Sequence, residues 1–287
     1  MDPGEGRGLI SDELAATAYQ KIMKLFQNLW SREAPANAVR RPVCDCLAPQ
    51  YGREELDDVE EEETEDELEG EEEAIAWTEL QLHTEEQDTE CHAWQRLNEL
   101  IEQAAADGRA RFSPGPEMTP AEWAQITELP RSIAKLKSVK SFTLYGSSLV
   151  RIPPEVGEMT ALEEFVPYTS YRLHWFPYEI TRCKNLRKST VSTRALYGNY
   201  KYRPPFPKLP QIQPGIVPAC CSVCRTPFGD AGPLQYWISL GVARDVLPLL
   251  VHACSERCVE ALPRPTEGYV GFPHQGGLGL EQPGAED

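Results

Sequence analysis

Several features are missing from this 287-residue chain, and each absence narrows its class. No apolar stretch approaches the roughly 20 residues that a membrane span requires. The longest candidate, around "DVLPLLVHA", is short and interrupted by Pro248. The opening residues, "MDPGEGRGLISDEL", lack a basic region followed by an apolar run, so no secretory signal is expected there. A soluble, cytoplasmic protein is the expectation. There is no Gly-x-Ser-x-Gly, no phosphate-binding glycine loop and no His-Glu-x-x-His, so three common enzyme signatures are absent. Basic residues are also absent between Glu54 and Glu73, where fifteen positions are acidic. Such a stretch cannot bury enough apolar surface to offset backbone ordering, and it reads as an extended acidic linker.

Hydrophobic residues make up 41% of the chain, enough for a packed core, although the mean hydropathy is −0.45. The net charge of −17 is unevenly spread. Outside the acidic run the chain sums to only −2, and Arg131 to Lys208 holds fourteen Lys and Arg against five Glu. The composition describes an acidic tether joined to a basic body.

Residues 11 to 31 place Leu14, Ala18, Ile22 and Leu25 at helical spacing behind Ser11, which predicts an amphipathic docking or capping helix. A second helix is expected from Cys91 to about Ala106, with Trp94, Leu97, Ile101 and Ala105 on one face and Gly108 as its stop. A third opens at "TPAEW", with Thr119 as N-cap, Pro120 at the first position and Glu122 completing a capping box.

Self-comparison at fixed offsets then reveals a repeat. Leu129-Pro130, Ile152-Pro153 and Phe176-Pro177 recur at steps of 23 and 24 residues. Three further columns keep those steps: Ile133, Val156 and Ile180; Leu136, Met159 and Cys183; Val139, Leu162 and Leu186. Phe142 is followed by Phe165 and Ser189.

This pattern resembles the leucine-rich repeat of the intracellular LPxxI class over residues 127 to 210. The wording "YTSYRLHWFPYEITRC" is similar to that of uncharacterised bacterial repeat proteins. The resemblance implies an α/β solenoid: a short stack of parallel strands with an N-terminal helical cap. Ser147, Ser170 and Arg194 stand where the family carries Asn, so the third unit departs most from the pattern. Cys183, in an apolar column, is expected to be a buried thiol.

In that register the exposed sheet face carries Ser141, Thr143 and Tyr145, then Glu164, Val166 and Tyr168, then Lys188, Thr190 and Ser192. Tyr200 and Tyr202 follow among Lys201, Arg203 and Lys208. Aromatic anchors ringed by cations suit a protein partner. They would also suit stacking and phosphate contacts on single-stranded nucleic acid, although no recognised nucleic-acid motif accompanies them. The candidate partner-binding residues are Tyr145, Glu164, Tyr168, Lys188, Tyr200 and Tyr202.

Five of the nine cysteines fall between Cys220 and Cys258. Cys221-x2-Cys224 and Cys254-x3-Cys258 form two short-spaced pairs, which supply four soft ligands for a structural Zn2+ at low entropic cost. The wording around Cys254 resembles treble-clef fingers. Disulfides would need an oxidising compartment. Cys220 could replace Cys221, and His252 could point with Cys254. A weaker second site would combine Cys44, Cys46, Cys91 and His92.

The resulting plan is a helical segment (1–50), an acidic linker (51–76), a helical cap (77–127), repeats (128–210), a zinc module (211–265) and a flexible tail (266–287). The expected function is non-catalytic protein–protein interaction through the basic, Tyr-rich repeat surface, with the structural zinc site capping the repeat. A ubiquitin-ligase-like enzyme or adaptor and a nucleic-acid-binding regulator gated by the acidic run are the alternatives. Five cysteines and one nearby His fall short of the eight or so ligands a RING arrangement uses.

Overall fold

The computed structural model describes residues 78–211 and 216–284. The expected helix over 11–31, the acidic run, Cys44 and Cys46 lie outside the described residues.

Helix α1 (His92–Asp107) is capped by Cys91, whose sulphur accepts from the Trp94 N–H, and it ends on Gly108 at φ 66°. That left-handed conformation suits glycine, which has no Cβ to clash. Leu97 and Ile101 are buried as the spacing predicted, but Trp94 and Ala105 are only partly buried, and the inward face is completed by Ala93, Leu100 and Ala104. Strand β1 (Arg111–Phe112) follows at once. Helix α2 (Pro120–Ala124) carries the full capping box between Thr119 and Glu122.

A proline-started 3-10 turn and a short strand then alternate. The turns span Arg131–Lys135, Pro154–Glu158 and Tyr178–Arg182. Each follows a proline at φ between −69° and −72°. Proline fixes φ near this value and has no N–H to leave unpaired, so it starts a turn without loss.

Strands β2 (Ser141–Thr143) and β3 (Glu164–Val166) precede β4 (Phe176–Pro177) and β5 (Lys188–Ser189). The first sheet is parallel throughout, in the order β1-β2-β3-β5. Its register sets Arg111 beside Ser141, Ser141 beside Glu164, and Glu164 beside Lys188. Phe112, Phe142 and Phe165 stack beneath it with centroids 5.7 and 5.9 Å apart. Ile133, Val156, Leu136, Met159, Val139 and Leu162 are each at most 1% exposed. Parallel strands only three residues long gain their order from this column packing, because a single unit offers too little apolar area to hold itself.

The second sheet, ordered β4-β7-β6, is mixed. Strands β6 (Leu234–Val242) and β7 (Asp245–Ala253) form an antiparallel hairpin, turned at Ala243 with φ 56°. Strand β7 pairs in parallel with Phe176 and Pro177. Burial along β7 is nearly continuous because its two faces serve two cores. Leu247, Leu249, Val251 and Ala253 join the core under the first sheet. Leu250 joins a second core with Trp175, Tyr197, Phe206, Trp237 and Leu82.

The hairpin tip seals the last strand of the first sheet. Ser189 Oγ donates to the Asp245 carboxylate, and the Arg244 N–H donates to Ser189 Oγ at 3.2 Å. The C-terminal stretch expected as a flexible tail instead runs back along the edge of β6. Trp237 and His274 exchange backbone bonds of 2.7 and 3.0 Å, and Gly277 N–H reaches Phe206 C=O at 2.8 Å. Backbone pairing of this kind depends little on side chains, so a Gly- and Pro-rich composition does not reveal it.

The architecture is therefore mixed α/β, with a four-stranded parallel sheet, a three-stranded mixed sheet and a cysteine cluster near the C-terminus. No helix among the described residues is long and apolar enough to cross a membrane.

Candidate metal centre

Three local structures bring four cysteines together. The segment from Cys220 to Pro227 closes a tight knuckle: Cys221 N–H bonds Thr226 C=O at 2.8 Å and Arg225 N–H bonds Cys221 C=O at 3.0 Å. Arg225 takes φ 63° to make that turn. Beside the knuckle, β7 delivers Cys254 at its end. Helix α3 (Glu256–Glu260) then turns Cys258 back toward it. Ser222 N–H bonds His252 C=O at 2.8 Å, and His252 N–H bonds Ser222 Oγ at 3.0 Å, which docks the knuckle on β7.

The four sulphurs of Cys221, Cys224, Cys254 and Cys258 lie within 4.8 Å of one another. Cys224 and Cys254 are separated by 3.5 Å, and Cys254 and Cys258 by 3.6 Å. Four sulphurs held about 2.3 Å from a tetrahedral ion would be about 3.8 Å apart, so the cage has the size a metal ion needs. A disulfide requires sulphurs about 2.0 Å apart, and all seven described cysteines are free thiols.

Hydrogen bonds already favour thiolate at one corner. The Thr226 side chain and backbone hold the Cys224 thiol down to about 6, and a bond with Cys254 helps. Cys254 then carries the opposite burden. Its bonds to Cys224 and Cys258 push it up to about 12. Crowded thiols cannot all ionise without a cation between them. Cys221 is also the acceptor for the Cys254 backbone N–H at 3.4 Å. Cys221 and Cys258 are buried, whereas Cys224 and Cys254 face solvent.

The two rival ligands are placed elsewhere. Cys220 sits in the bridge to Pro227 and outside the four-sulphur group. His252 is buried with Nε2 3.0 Å from the Gln235 side chain, its cross-strand neighbour, and burial lowers its imidazole to about 4. Of the second proposed site, Cys91 is the cap of α1 and His92 Nδ1 lies 2.9 Å from Glu122.

The expected partner surface is divided. Tyr145 and Tyr168 are lateral neighbours with ring centroids 6.1 Å apart. Glu164 lies between Ser141, which donates to it at 2.7 Å, and exposed Lys188. Tyr200 is 60% exposed, but Tyr202 packs against the second core.

Two features had no clear sequence signal. Glu179 is 1% exposed beneath the knuckle, where burial raises its carboxyl above the usual range. The extended segment 78–88 is strapped across the repeating units. Arg151 donates to the His83 carbonyl at 3.1 Å, and the Gln87 side chain accepts from Thr127 N–H at 2.8 Å. Comparison with protein-family models, curated proteins and solved structures gives no match to this chain.

Proposed function

We propose that this chain is a non-catalytic, cytoplasmic interaction protein of leucine-rich-repeat type, whose short solenoid binds a partner protein through its exposed sheet face. The observation that carries this reading is the Tyr145–Tyr168 pair, set side by side in the turns that follow β2 and β3, beyond the Arg111–Ser141–Glu164–Lys188 row of the parallel sheet. Aromatic side chains already packed against each other lose less entropy on binding, and tyrosines make strong anchors. The four-cysteine site is a structural Zn2+ centre in this reading. Thiolates select soft ions, and four protein ligands leave no position for a reacting water.

Affinity capture with wild-type and Tyr145→Ala/Tyr168→Ala protein tests the surface. A partner recovered by wild type and reduced at least tenfold by the double variant, with an unchanged melting temperature, supports it. Identical recovery by both proteins overturns it. Elemental analysis of the purified chain tests the ion, with one Zn2+ per chain expected.

A further inference from the structure

Glu179 has no role in the repeat columns, yet it is among the most deeply buried charged side chains described. Both carboxylate oxygens are sealed from solvent without a hydrogen bond of ordinary length. The groups acting on them include the Ser222 hydroxyl, the Arg182 guanidinium, 3.7 Å from Oε1, and the like-charged Glu155 carboxylate. Arg182 extends the link, donating to the Ser222 carbonyl at 2.9 Å. Ser222 lies inside the Cys221–Cys224 knuckle, and its hydroxyl oxygen already accepts the His252 N–H.

The backbone is shaped around this residue as well. A Cβ on Gly157 would stand 2.5 Å from the Glu179 carbonyl oxygen, so glycine in the preceding turn admits the chain that carries Glu179. Glu155, at the equivalent place in that turn, is engaged by Arg131 at 3.0 Å. Glu179 has no such partner from the preceding unit and turns to the knuckle. A buried carboxylate is costly unless its acceptor capacity is used. The Ser222 hydroxyl has one proton to give, and its acceptor side is taken by His252.

We propose that Glu179 is a positioning residue for the four-cysteine centre, acting through Ser222 and Arg182 to hold the Cys221–Cys224 knuckle in its ligating shape. Metal occupancy and the order of the third repeating turn are thereby coupled. This rests on the metal reading above, and the test separates the two.

Zn2+ affinity is measured by chelator competition for full-length wild type, Ser222→Ala, Glu179→Ala and the double variant. Partners that orient metal ligands typically contribute 10- to 100-fold in affinity. Each single variant is expected to weaken Zn2+ binding about tenfold or more, and the double variant no further than the weaker single. Glu179→Gln, which keeps an acceptor of the same length, is expected to recover most of the loss. Arg182→Gln replaces Glu179→Ala in the cycle if that variant does not fold. Single variants within about threefold of wild type, or losses that multiply in the double variant, overturn the proposal. Failure of wild type to bind Zn2+ overturns the metal reading itself.

Discussion

The hydroxyls of Ser147 and Ser170, 23 residues apart, meet at 2.6 Å in the protein interior. Ser170 Oγ also lies 3.2 Å from the Leu144 carbonyl. These serines stand where the resembled family carries Asn, and together they satisfy backbone and side-chain groups between adjacent units. At the third position Arg194 is exposed. Ser192 serves there instead, accepting the Thr169 N–H at 2.9 Å.

Ser170→Ala should therefore cost about 1–3 kcal/mol, since it strands a buried hydroxyl and weakens the satisfaction of a buried carbonyl. Urea titration followed by far-UV circular dichroism measures this. A loss under about 0.5 kcal/mol would show that the serine pair is not structural.

Gly157→Ala should be as damaging for a steric reason. The added methyl would meet Glu179 C=O at 2.5 Å and its carbonyl carbon at 3.0 Å, and both are backbone atoms that cannot rotate away. Overpacking of this kind costs about 1–3 kcal/mol. Gly229→Ala, where nothing lies within 4 Å, is the control and should leave the melting temperature unchanged.

The repeat step was legible because Leu-Pro and the columns at Ile133, Val156 and Ile180 share the same steps of 23 and then 24 residues, and the strand register follows those steps. The cysteine pairs were legible for the same reason. Their short separations reach a common point only if the intervening hairpin returns, and β6 and β7 do return. Strand β1 was not legible, since two residues after Gly108 carry no column signal. Phe176-Pro177 hid a second role: it opens the third unit and also pairs with β7. Glu179 read as an ordinary turn charge, because burial of a carboxylate depends on which distant segment covers it. The strap over 78–88 offers only one short alternation, Leu80 and Leu82, too brief to detect as a strand. Beyond Leu80 and Leu82, which enter the second core, its contacts come from backbone carbonyls and amide side chains.

Arg151 is the natural point at which to cut that strap. It is 5% exposed, pairs with Glu128 at 2.6 Å, and donates to the carbonyls of His83 and Glu85. Arg151→Ala should leave half-buried Glu128 without this ion-pair partner and loosen the 78–88 segment. Limited proteolysis should then cleave within those residues at least tenfold faster than in wild type, while 111–191 stays protected. Equal cleavage rates would mean that Gln87, Arg172 and the packing of Leu80 and Leu82 hold the strap without Arg151.

Stability should fall on mild acidification. Burial lowers His174 to about 3 and both His252 and His274 to about 4, and it also depresses His83. In the unfolded chain these imidazoles titrate near 6.5. Between that pH and about 4 the unfolded chain binds protons that the native protein refuses, so stability is greatest above pH 6.5 and declines as pH falls. Glu179 and Glu128, raised chiefly by burial, act in the opposite sense. Their contribution is present below about pH 4.5 and is lost as pH rises through their folded values. The four histidines are joined by Glu85 and Glu158, whose carboxyls are held below the usual range and whose contribution is likewise lost as pH falls. The melting temperature should therefore rise from pH 4.5 to 7, and His174→Gln should flatten that rise. A flat profile in wild type would contradict the argument.

Metal removal should act locally before it acts globally. The hairpin carries the four-cysteine cage at one end and the Ser189–Asp245 contact at the other. The nine-pair ladder between β6 and β7 joins the two. That ladder is buried on both faces of β7 and does not need the ion to persist. Hydrogen exchange after chelation should therefore rise first in 220–227 and 254–260. The turn at 178–183 should follow, because Arg182 holds the Ser222 carbonyl. Amides of 236–251 should stay protected until global unfolding. Cys254→Ser should reproduce this pattern without chelator and lower the melting temperature by several degrees. Uniform deprotection of the whole hairpin would show instead that the cage, and not the two cores, holds the second sheet together.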